Sequence, residues 1–263
     1  MDANRSTVCY LCGHIIEDSY DKDHVPPMSI FPSEIRRAHH IEPVAKHATH
    51  PACNRSYAKD EEYFRQSLGP LAHESSSGRS LAKDIKKLAR RPQSRPLYLK
   101  VLDEFQEAPG GIVLPPWLIG KRYDGPRIRR VIWKITRGLF LHEKGSILSE
   151  NLPGRIELFG PKDKPPDLFL QSLSPLPSHG QYSGVFDYKY VELSSQKAAI
   201  HGHYWGLLFW DTVLVQRELD KSILQLRESL AFGKEVFLGM GEFWISPVGD
   251  RVGWAVQNGP PQR

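Results

Sequence analysis

Three helices are predicted from the spacing of apolar residues before residue 140. Over residues 54–68, apolar side chains recur on one face at intervals of seven and four: Tyr57, Phe64 and Leu68. Residues 81–91 form a shorter helix that ends before a proline. Residues 126–139 carry the clearest pattern, with apolar positions at Ile128, Val131, Ile132, Ile135 and Leu139. The polar faces of the last two helices consist mainly of Lys and Arg.

Short strands are predicted on both sides of these helices. An extended piece ends at Asp23-His24, because the prolines at 26 and 27 forbid further pairing, and a second strand lies within residues 41–49. Later in the chain, apolar and polar residues alternate around Phe186, Tyr188 and Tyr190, as in a half-buried strand. Further strand candidates cover residues 199–209, 212–216, 236–245 and 252–256, and residues 220–230 are predicted to be helical. The second half is therefore predicted to be an α+β domain with an antiparallel sheet.

Turn-forming residues divide the chain into three predicted segments. A Ser-rich linker over residues 73–80 and Pro/Gly clusters near residues 108–116 mark the boundaries. The segments are residues 1–75, a basic helical linker over residues 76–115, and the α+β domain over residues 116–263. No stretch approaches the roughly 18 to 20 apolar residues that a membrane span needs, and the N-terminus lacks the apolar core of a secretory signal. We therefore expect a cytoplasmic protein with no membrane partner.

Positive charge is concentrated in the middle of the chain. The formal net charge is +5, but residues 79–137 contain 15 Lys and Arg against 5 Asp and Glu, a net of +10, so the remainder carries −5. Such a segment is typical of a surface that binds a polyanion, and a solvated helix face is the alternative. The candidate nucleic-acid contacts are the cations of two predicted helices: Lys83, Lys86, Lys87, Arg90, Arg91, Arg127, Arg130 and Lys134.

Two short motifs near the N-terminus have the spacing of zinc ligands. Two residues separate Cys9 from Cys12, and two separate His50 from Cys53. Two such pairs fit one tetrahedral zinc site. The chain has three cysteines, all in this set, and the odd number argues for metal binding in a reducing compartment rather than for disulfides. His47 is a second candidate for the nitrogen ligand, at a less usual spacing.

Three further residues have the chemistry that phosphodiester hydrolysis requires. His24 can act as the base, Asp23 offers a hard oxygen of the kind Mg²⁺ prefers, and Asn54 offers a second, neutral oxygen. The alternatives are a surface turn for Asp23-His24 and a helix N-cap for Asn54. Adjacent residues of a regular strand point to opposite faces, so a strand end or distorted turn is needed to bring Asp23 and His24 to one point. The acidic residues 60–62 are predicted to form a solvated helix face.

The order Cys-x-x-Cys, Asp-His-Val-Pro-Pro, x-x-x-Cys-Asn and helix resembles the HNH endonuclease family, whose fold is called ββα-metal. The resemblance covers residues 1–75. It implies a small zinc-bound ββα-metal domain followed by the larger α+β domain. It also implies that zinc is structural, that His24 is the general base, and that Asp23 and Asn54 bind one catalytic Mg²⁺ or Mn²⁺. Residues 134–140, Lys-Ile-Thr-Arg-Gly-Leu-Phe, are similar to a segment that follows the nuclease domain in bacterial stand-alone HNH proteins.

Two positions depart from the family pattern. The fourth zinc ligand is usually Cys, and here it is His50, which is an acceptable substitute. The family's middle Asn, nine residues before the helix Asn, would fall at Ala45. Its role in orienting the catalytic His would then pass to a backbone carbonyl or to a neighbour such as His47, or catalysis would be reduced.

These features together favour a metal-dependent endonuclease that hydrolyses nucleic-acid phosphodiester bonds, with DNA as the first expected substrate. The N-terminal domain would cut, and the C-terminal domain would bind substrate or control access. The family resemblance adds a role as an effector of bacterial phage defence, with the C-terminal domain contacting a protein partner or a second copy of the chain. The alternative from another class is a non-catalytic, zinc-containing nucleic-acid-binding protein.

Overall fold

The chain folds into two compact units, each built from two separate segments. The computed structural model describes residues 7–72, 75–107, 118–148, 154–159, 167, 171, 173–180, 184–195, 200–209, 213–220, 237–238 and 243–247. The first unit is Met1–Arg65 with Pro126–Asn151, and the second is Gln66–Gly125 with Leu152–Arg263. Helix and strand are mixed in small sheets, so the predicted α+β class is confirmed.

The helices and strands follow one another along the chain as β1 (Asp21–Val25), α1 (Ser33–His39), β2 (Ala45–Thr49), α2 (Pro51–Leu68), α3 (Ser76–Ala89), α4 (Arg95–Asp103), β3 (Phe105–Gln106), β4 (Leu118–Arg122), α5 (Gly125–Lys144), β5 (Gly154–Phe159), β6 (Phe186–Ser195), β7 (Ile200–Phe209), β8 (Val213–Asp220), β9 (Phe237–Leu238) and β10 (Phe243–Pro247). Short 3-10 turns occupy Met28–Ile30 and Gly69–Ala72.

In the first unit, β1 and β2 form a two-stranded antiparallel sheet that leads directly into α2. Asp21 pairs with Thr49 at one end of the register and Val25 with Ala45 at the other. Pairing ends after Val25 because the two following prolines have no N–H to donate. One residue, His50, separates β2 from α2. The predicted order of strand, strand and helix is confirmed.

The two long helices bury the faces that their sequence patterns predicted. On α2, Tyr63, Phe64 and Leu68 are fully buried, while Tyr57 is half-buried. On α5, the five residues of the predicted apolar face have no exposed surface: Ile128, Val131, Ile132, Ile135 and Leu139. Each such side chain contributes roughly 1.5–3 kcal/mol through burial, which makes α5 a major part of the core of the first unit.

The second unit contains α3, α4 and two sheets. One sheet has the strand order β10-β4-β3 and the other β6-β7-β8-β5-β9, and all pairs are antiparallel except β5 with β9. The alternation predicted for β6 is confirmed, since Phe186 and Tyr188 are buried. The predicted linker over residues 73–80 is wrong in its second half, because the Ser75 side chain accepts a hydrogen bond from the Gly78 amide and caps α3. The predicted strand at residues 252–256 and helix beyond residue 220 lie outside the described residues.

The unit boundaries differ from the segments predicted from sequence. Residues 126–151, predicted to open the C-terminal domain, belong to the first unit. The physical reason is a set of ion pairs between α5 and the N-terminal segment, which no local pattern in the sequence reveals. In the described part of the chain, no helix combines the length and apolarity needed to cross a membrane.

Candidate metal centre and the polar cluster beside it

The four predicted zinc ligands meet at one point. The ligand atoms of Cys9, Cys12, His50 and Cys53 all lie within 4.8 Å of one another. His50 Nδ1 is 3.4 Å from Cys12 Sγ and 3.8 Å from Cys53 Sγ. Tetrahedral zinc with ordinary bond lengths separates a nitrogen and a sulfur ligand by about 3.5 Å. The cluster can therefore hold a metal ion such as zinc.

Local backbone structure brings these side chains together. A tight turn carries Cys9 and Cys12, with the Gly13 amide donating to the Cys9 carbonyl at 2.8 Å and Gly13 at a φ of +76°. Glycine adopts this left-handed conformation without strain. The His50 ring uses its other nitrogen, Nε2, at 3.2 Å from the Ile15 carbonyl. A contact of this kind fixes the ring so that Nδ1 faces the metal, as is usual for metal-bound histidines.

Cys9 accepts hydrogen bonds that stabilise its thiolate. Its side chain is fully buried, which opposes ionisation, but hydrogen bonds from the Thr49 hydroxyl and from the backbone of His50, Cys12 and Leu11 lower its pKa to about 6. Burial and the negative charge of Cys9 instead raise the pKa of Cys53 to about 12. The thiolate is the form of cysteine that binds a metal ion, so the hydrogen bonds at Cys9 favour metal binding.

His47 does not belong to the cluster, so the alternative nitrogen ligand is wrong. Its Nε2 lies 2.8 Å from the carbonyl oxygen of Gly138 on α5, and its ring packs beside Tyr10. Burial lowers the pKa of His47. The neutral ring therefore donates to Gly138, and it is not available to orient His24 in place of the missing Asn.

Asp23 lies on the buried side of β1 and is held through one oxygen. The Tyr10 hydroxyl donates to its Oδ2 at 2.6 Å, and Lys134 Nζ contacts the same oxygen at 2.8 Å. No other described residue hydrogen-bonds to this carboxylate, so Oδ1 has no partner among them. Burial and the charge of Asp23 raise the pKa of Tyr10 well above its usual value, so its hydroxyl keeps its proton and remains a donor.

Asn54 lies in the first turn of α2, over the same side of β1 as Asp23. Its Nδ2 is 3.4 Å from Oδ2 of Asp21, which precedes Asp23 by two residues and so faces the same way. The helix begins at Pro51, three residues before Asn54, and the Asn54 amide donates to the carbonyl of the preceding His50 at 3.0 Å, so the alternative of a helix N-cap is wrong. The Asn54 side-chain oxygen has no partner among the described residues. Asp21 was not predicted from the sequence as part of this site. The signal was present, because alternate residues of a strand face the same side and Asp21 precedes Asp23 by two residues.

His24 points to the other face of β1. The strand is regular here, with Asp23 opposite His47 and His24 opposite Lys46. The expected distortion at Asp23-His24 is absent, so the two side chains do not gather at one point as expected. His24 is half-buried and lies near Glu42. The pKa of that carboxyl is lowered by its hydrogen bond and ion pair with Lys46 and also by His24.

Acidic residues of α2 and basic residues of α5 neutralise one another, which corrects two predictions. Asp60 is buried and ion-paired with Arg127, at 2.7 Å, and with Arg130. Lys134 is 1% exposed and pairs with Glu61 as well as Asp23. Residues 60 and 61 are therefore not a solvated face, and Lys134 cannot contact nucleic acid. The two arginines are committed to Asp60.

The other predicted nucleic-acid contacts lie on α3 and are exposed. The five exposed cations of α3 are Lys83, Lys86, Lys87, Arg90 and Arg91, and Asp84 and Ile85 separate the first of them from the rest along the sequence. Arg95, at the start of α4, is exposed as well. In the described residues, no ion pair involves the last four of the α3 cations or Arg95. The two basic helices predicted from sequence thus differ: the α3 cations are exposed, whereas Arg127, Arg130 and Lys134 of α5 pair with acidic residues of α2.

Comparisons with protein-family models, with curated proteins and with solved structures find no match for this chain. The resemblance to HNH endonucleases therefore stays a prediction.

Residues 137 and 138 of α5 make two further contacts with other elements of the first unit. Arg137 donates to the Leu11 carbonyl inside the cysteine turn. Gly138 lies against Val25 of β1, where an added Cβ would sit 2.8 Å from Val25 Cγ1. Together with Lys134, these residues join α5 to the metal-binding turn and to β1.

Replacing Gly138 by Ala is expected to destabilise the first unit. The methyl group would force Val25 or the helix to shift, and overpacking of this kind costs about 1–3 kcal/mol in the free energy of unfolding. Gly125→Ala is the matched control, because a Cβ at Gly125 meets nothing within 4 Å. Chemical denaturation of both variants measures the difference, and equal stability of the two would contradict the close approach of α5 to β1.

Proposed function

We propose that the chain is a metal-dependent endonuclease of the HNH type that hydrolyses phosphodiester bonds of nucleic acid, DNA first among them. The observation that carries this proposal is a pair of hard oxygens that no described residue hydrogen-bonds. Asp23 Oδ1 and the side-chain oxygen of Asn54 lie on the sheet–helix pair that the cysteine and histidine cluster joins. Such oxygens are the ligands that Mg²⁺ and Mn²⁺ prefer.

The order of the elements supports the same reading. An antiparallel pair of strands is followed at once by a helix, with His24 and Asp23 on the first strand and Asn54 in the first turn of the helix. This is the arrangement that the resemblance implies. A zinc ion at the cluster would cross-link the cysteine turn to α2 and so fix where Asn54 faces β1.

Hydrolysis of a phosphodiester bond proceeds by in-line displacement. In that geometry the attacking water and the leaving oxygen lie on opposite sides of the phosphorus. A divalent cation, when bound, would supply positive charge for the leaving oxygen. Asp23 and Asn54 would hold the cation, and His24 would accept the proton of the attacking water.

The basic surface of α3 and the start of α4 is proposed to contact the nucleic-acid backbone. We define it by its exposed cations, which form no ion pair with another described residue: Lys86, Lys87, Arg90, Arg91 and Arg95. Phosphate contacts of this type give affinity without sequence preference. Lys134 of α5 is excluded from this role by its burial, and Arg127 and Arg130 are ion-paired with Asp60 of α2.

Reversing three charges of this surface, Lys86→Glu, Lys87→Glu and Arg90→Glu together, is expected to weaken binding and its salt dependence. Each lost phosphate contact removes about 0.9 from the slope of log affinity against log salt for duplex DNA, so the slope should fall by about 2 to 3. Fluorescence anisotropy over a salt series measures it. The control is the double variant Arg36→Glu and Arg37→Glu, which reverses two exposed cations of α1. An equal loss of affinity and of salt slope in the control would show that net charge alone explains the effect.

A cleavage panel tests the proposed activity and its substrate. Zinc-loaded protein is incubated with end-labelled duplex DNA, single-stranded DNA and RNA, each with Mg²⁺, Mn²⁺ or EDTA. The proposal requires cleavage of at least one polymer with a divalent cation and none with EDTA. Intact polymers throughout, from protein with a full zinc complement, would refute it.

A non-catalytic, zinc-containing nucleic-acid-binding protein is the second candidate. The observation that favours it is the environment of His24. Ala45 replaces the family's Asn, and His47 is committed to Gly138. The same panel separates the two functions, because this candidate predicts salt-dependent binding with no cleavage and no effect of His24→Ala.

A further inference from the structure

The carboxylate of Asp23 is anchored asymmetrically. Its Oδ2 receives both the Tyr10 hydroxyl, at 2.6 Å, and the Lys134 ammonium, at 2.8 Å. Its Oδ1 receives neither, and no described residue replaces them there. Rotation of the carboxylate would break both contacts in a site where only 6% of the side chain is exposed. The direction of Oδ1 is thus set by what holds Oδ2.

The two donors are themselves fixed in place. Lys134 is 1% exposed, pairs also with Glu61, and lies 5.4 Å from the ring centre of Tyr57. Tyr10 is 1% exposed, and its backbone amide donates to the Ala48 carbonyl of β2. Each donor is tied to a different part of the unit, Lys134 to α5 and Tyr10 to the cysteine turn. Their common target is one oxygen atom on β1.

We propose that Lys134 and Tyr10 are positioning residues for a divalent-cation site, holding Asp23 by Oδ2 so that Oδ1 stays directed at the cation. The inference rests on the proposed function, because it assigns supporting contacts to the cation site of that function. Contacts that orient a metal-binding carboxylate typically change metal affinity by about 10- to 100-fold when they are removed. The basic residue that sequence reasoning assigned to nucleic acid is thereby assigned to the metal site.

A purely electrostatic role for Lys134 predicts the opposite sign. An ammonium this close to the carboxylate repels a second cation, so its loss alone would leave Asp23 and Glu61 more attractive to a divalent ion. A positioning role predicts weaker binding, because the freed carboxylate loses its direction. The direction of the change in affinity therefore discriminates between the two roles.

The test measures Mn²⁺ binding to the zinc-loaded, full-length protein by electron paramagnetic resonance. Lys134→Met is expected to raise the Mn²⁺ dissociation constant by about 10- to 100-fold. Tyr10→Phe, which removes one of the two donors and keeps the ring, is expected to raise it less. Lys121→Met is the matched control, because Lys121 is also buried and ion-paired, with Glu104 at 2.9 Å, but belongs to the second unit. Its Mn²⁺ affinity should equal that of the wild type.

Unchanged or tighter Mn²⁺ binding in Lys134→Met, with wild-type zinc content and circular dichroism, would overturn the inference while leaving the proposed function standing. Where Lys134→Met does not fold, Tyr10→Phe decides, and unchanged affinity there overturns it as well. Failure of the proposed function looks different. The wild type would then show no Mn²⁺ site that Asp23→Asn removes, and this inference would fall with it.

Discussion

Removal of the metal from the cysteine and histidine cluster is expected to unfold the first compact unit. Structural zinc sites bind with about 10–16 kcal/mol in small domains that fold only with metal, and whole domains are stable by about 5–15 kcal/mol. In the described part of residues 7–20, the only regular pairing is a bridge between Val8 and Ile15. The cluster is therefore a main tie between this segment and α2. Hydrogen bonds of Tyr10 to Asp23 and of Arg137 to Leu11 join the same segment to β1 and α5.

The expected result can be localised to one unit by hydrogen exchange. Chelation, or the ligand substitution His50→Ala, should strip zinc and increase exchange in β1, β2 and α2 while β6, β7 and β8 keep their protection. His14→Ala is the matched control, because His14 is exposed in the same turn and is not a ligand. Unaltered exchange in β1 and α2 after complete zinc loss would show that the cluster does not stabilise the unit.

His24→Ala is expected to lose the cleavage activity and to keep the fold. A positioned general base accelerates proton transfer by typically about 10²- to 10⁴-fold, so the cleavage rate should fall by that factor. His24 is half-buried on the outer face of β1 and its side chain hydrogen-bonds to no other described residue, so stability should change little. Zinc content and Mn²⁺ affinity should both match the wild type, since His24 is assigned as base and not as ligand.

His39→Ala is the control for this substitution, because His39 is an exposed histidine on α1. It should cleave at the wild-type rate in the same assay. Equal rates for His24→Ala and the wild type would remove His24 from the mechanism. A weakened Mn²⁺ site in His24→Ala would instead make it a ligand and contradict the assignment of roles.

The metal cluster could be predicted from sequence because its geometry is mostly local. Cys9 and Cys12 share one tight turn, and His50 and Cys53 share the start of one helix, so two-residue spacings already place each pair on one side. The strand, strand and helix order followed from proline positions and apolar spacing for the same reason. These signals depend on neighbours in the chain, which a sequence displays directly.

The roles of α2 and α5 could not be predicted, because they depend on a contact between distant segments. The acids at 60 and 61 were assigned to solvent, and Lys134 was assigned to nucleic acid. Each assignment is reasonable for an isolated helix, since charged residues opposite an apolar face usually lie in water. Packing the two helices together pairs Asp60 with Arg127 and Lys134 with Glu61, which explains both charged faces at once.

The orientation of His24 shows a different limit of prediction from the sequence. The two-residue repeat of a strand places Asp23 and His24 on opposite faces, and the sequence suggested a distortion that would overcome it. The register with β2 is instead regular through both residues. The same repeat, applied one step earlier, places Asp21 beside Asp23 and toward Asn54. The regular alternation of a strand therefore predicted the faces of Asp21, Asp23 and His24 correctly, whereas the expected convergence of Asp23 and His24 did not occur.

The central claim is that the zinc-clamped unit cuts nucleic acid with a divalent cation held by Asp23 and Asn54. The most direct measurement is the initial rate at which supercoiled plasmid becomes open-circular or linear in Mg²⁺, for wild type and Asp23→Asn prepared with equal zinc content. We expect the wild type to convert the plasmid, EDTA to stop the conversion, and Asp23→Asn to abolish it. Plasmid that stays supercoiled with folded, zinc-replete wild type, or that Asp23→Asn converts at an equal rate, would contradict it.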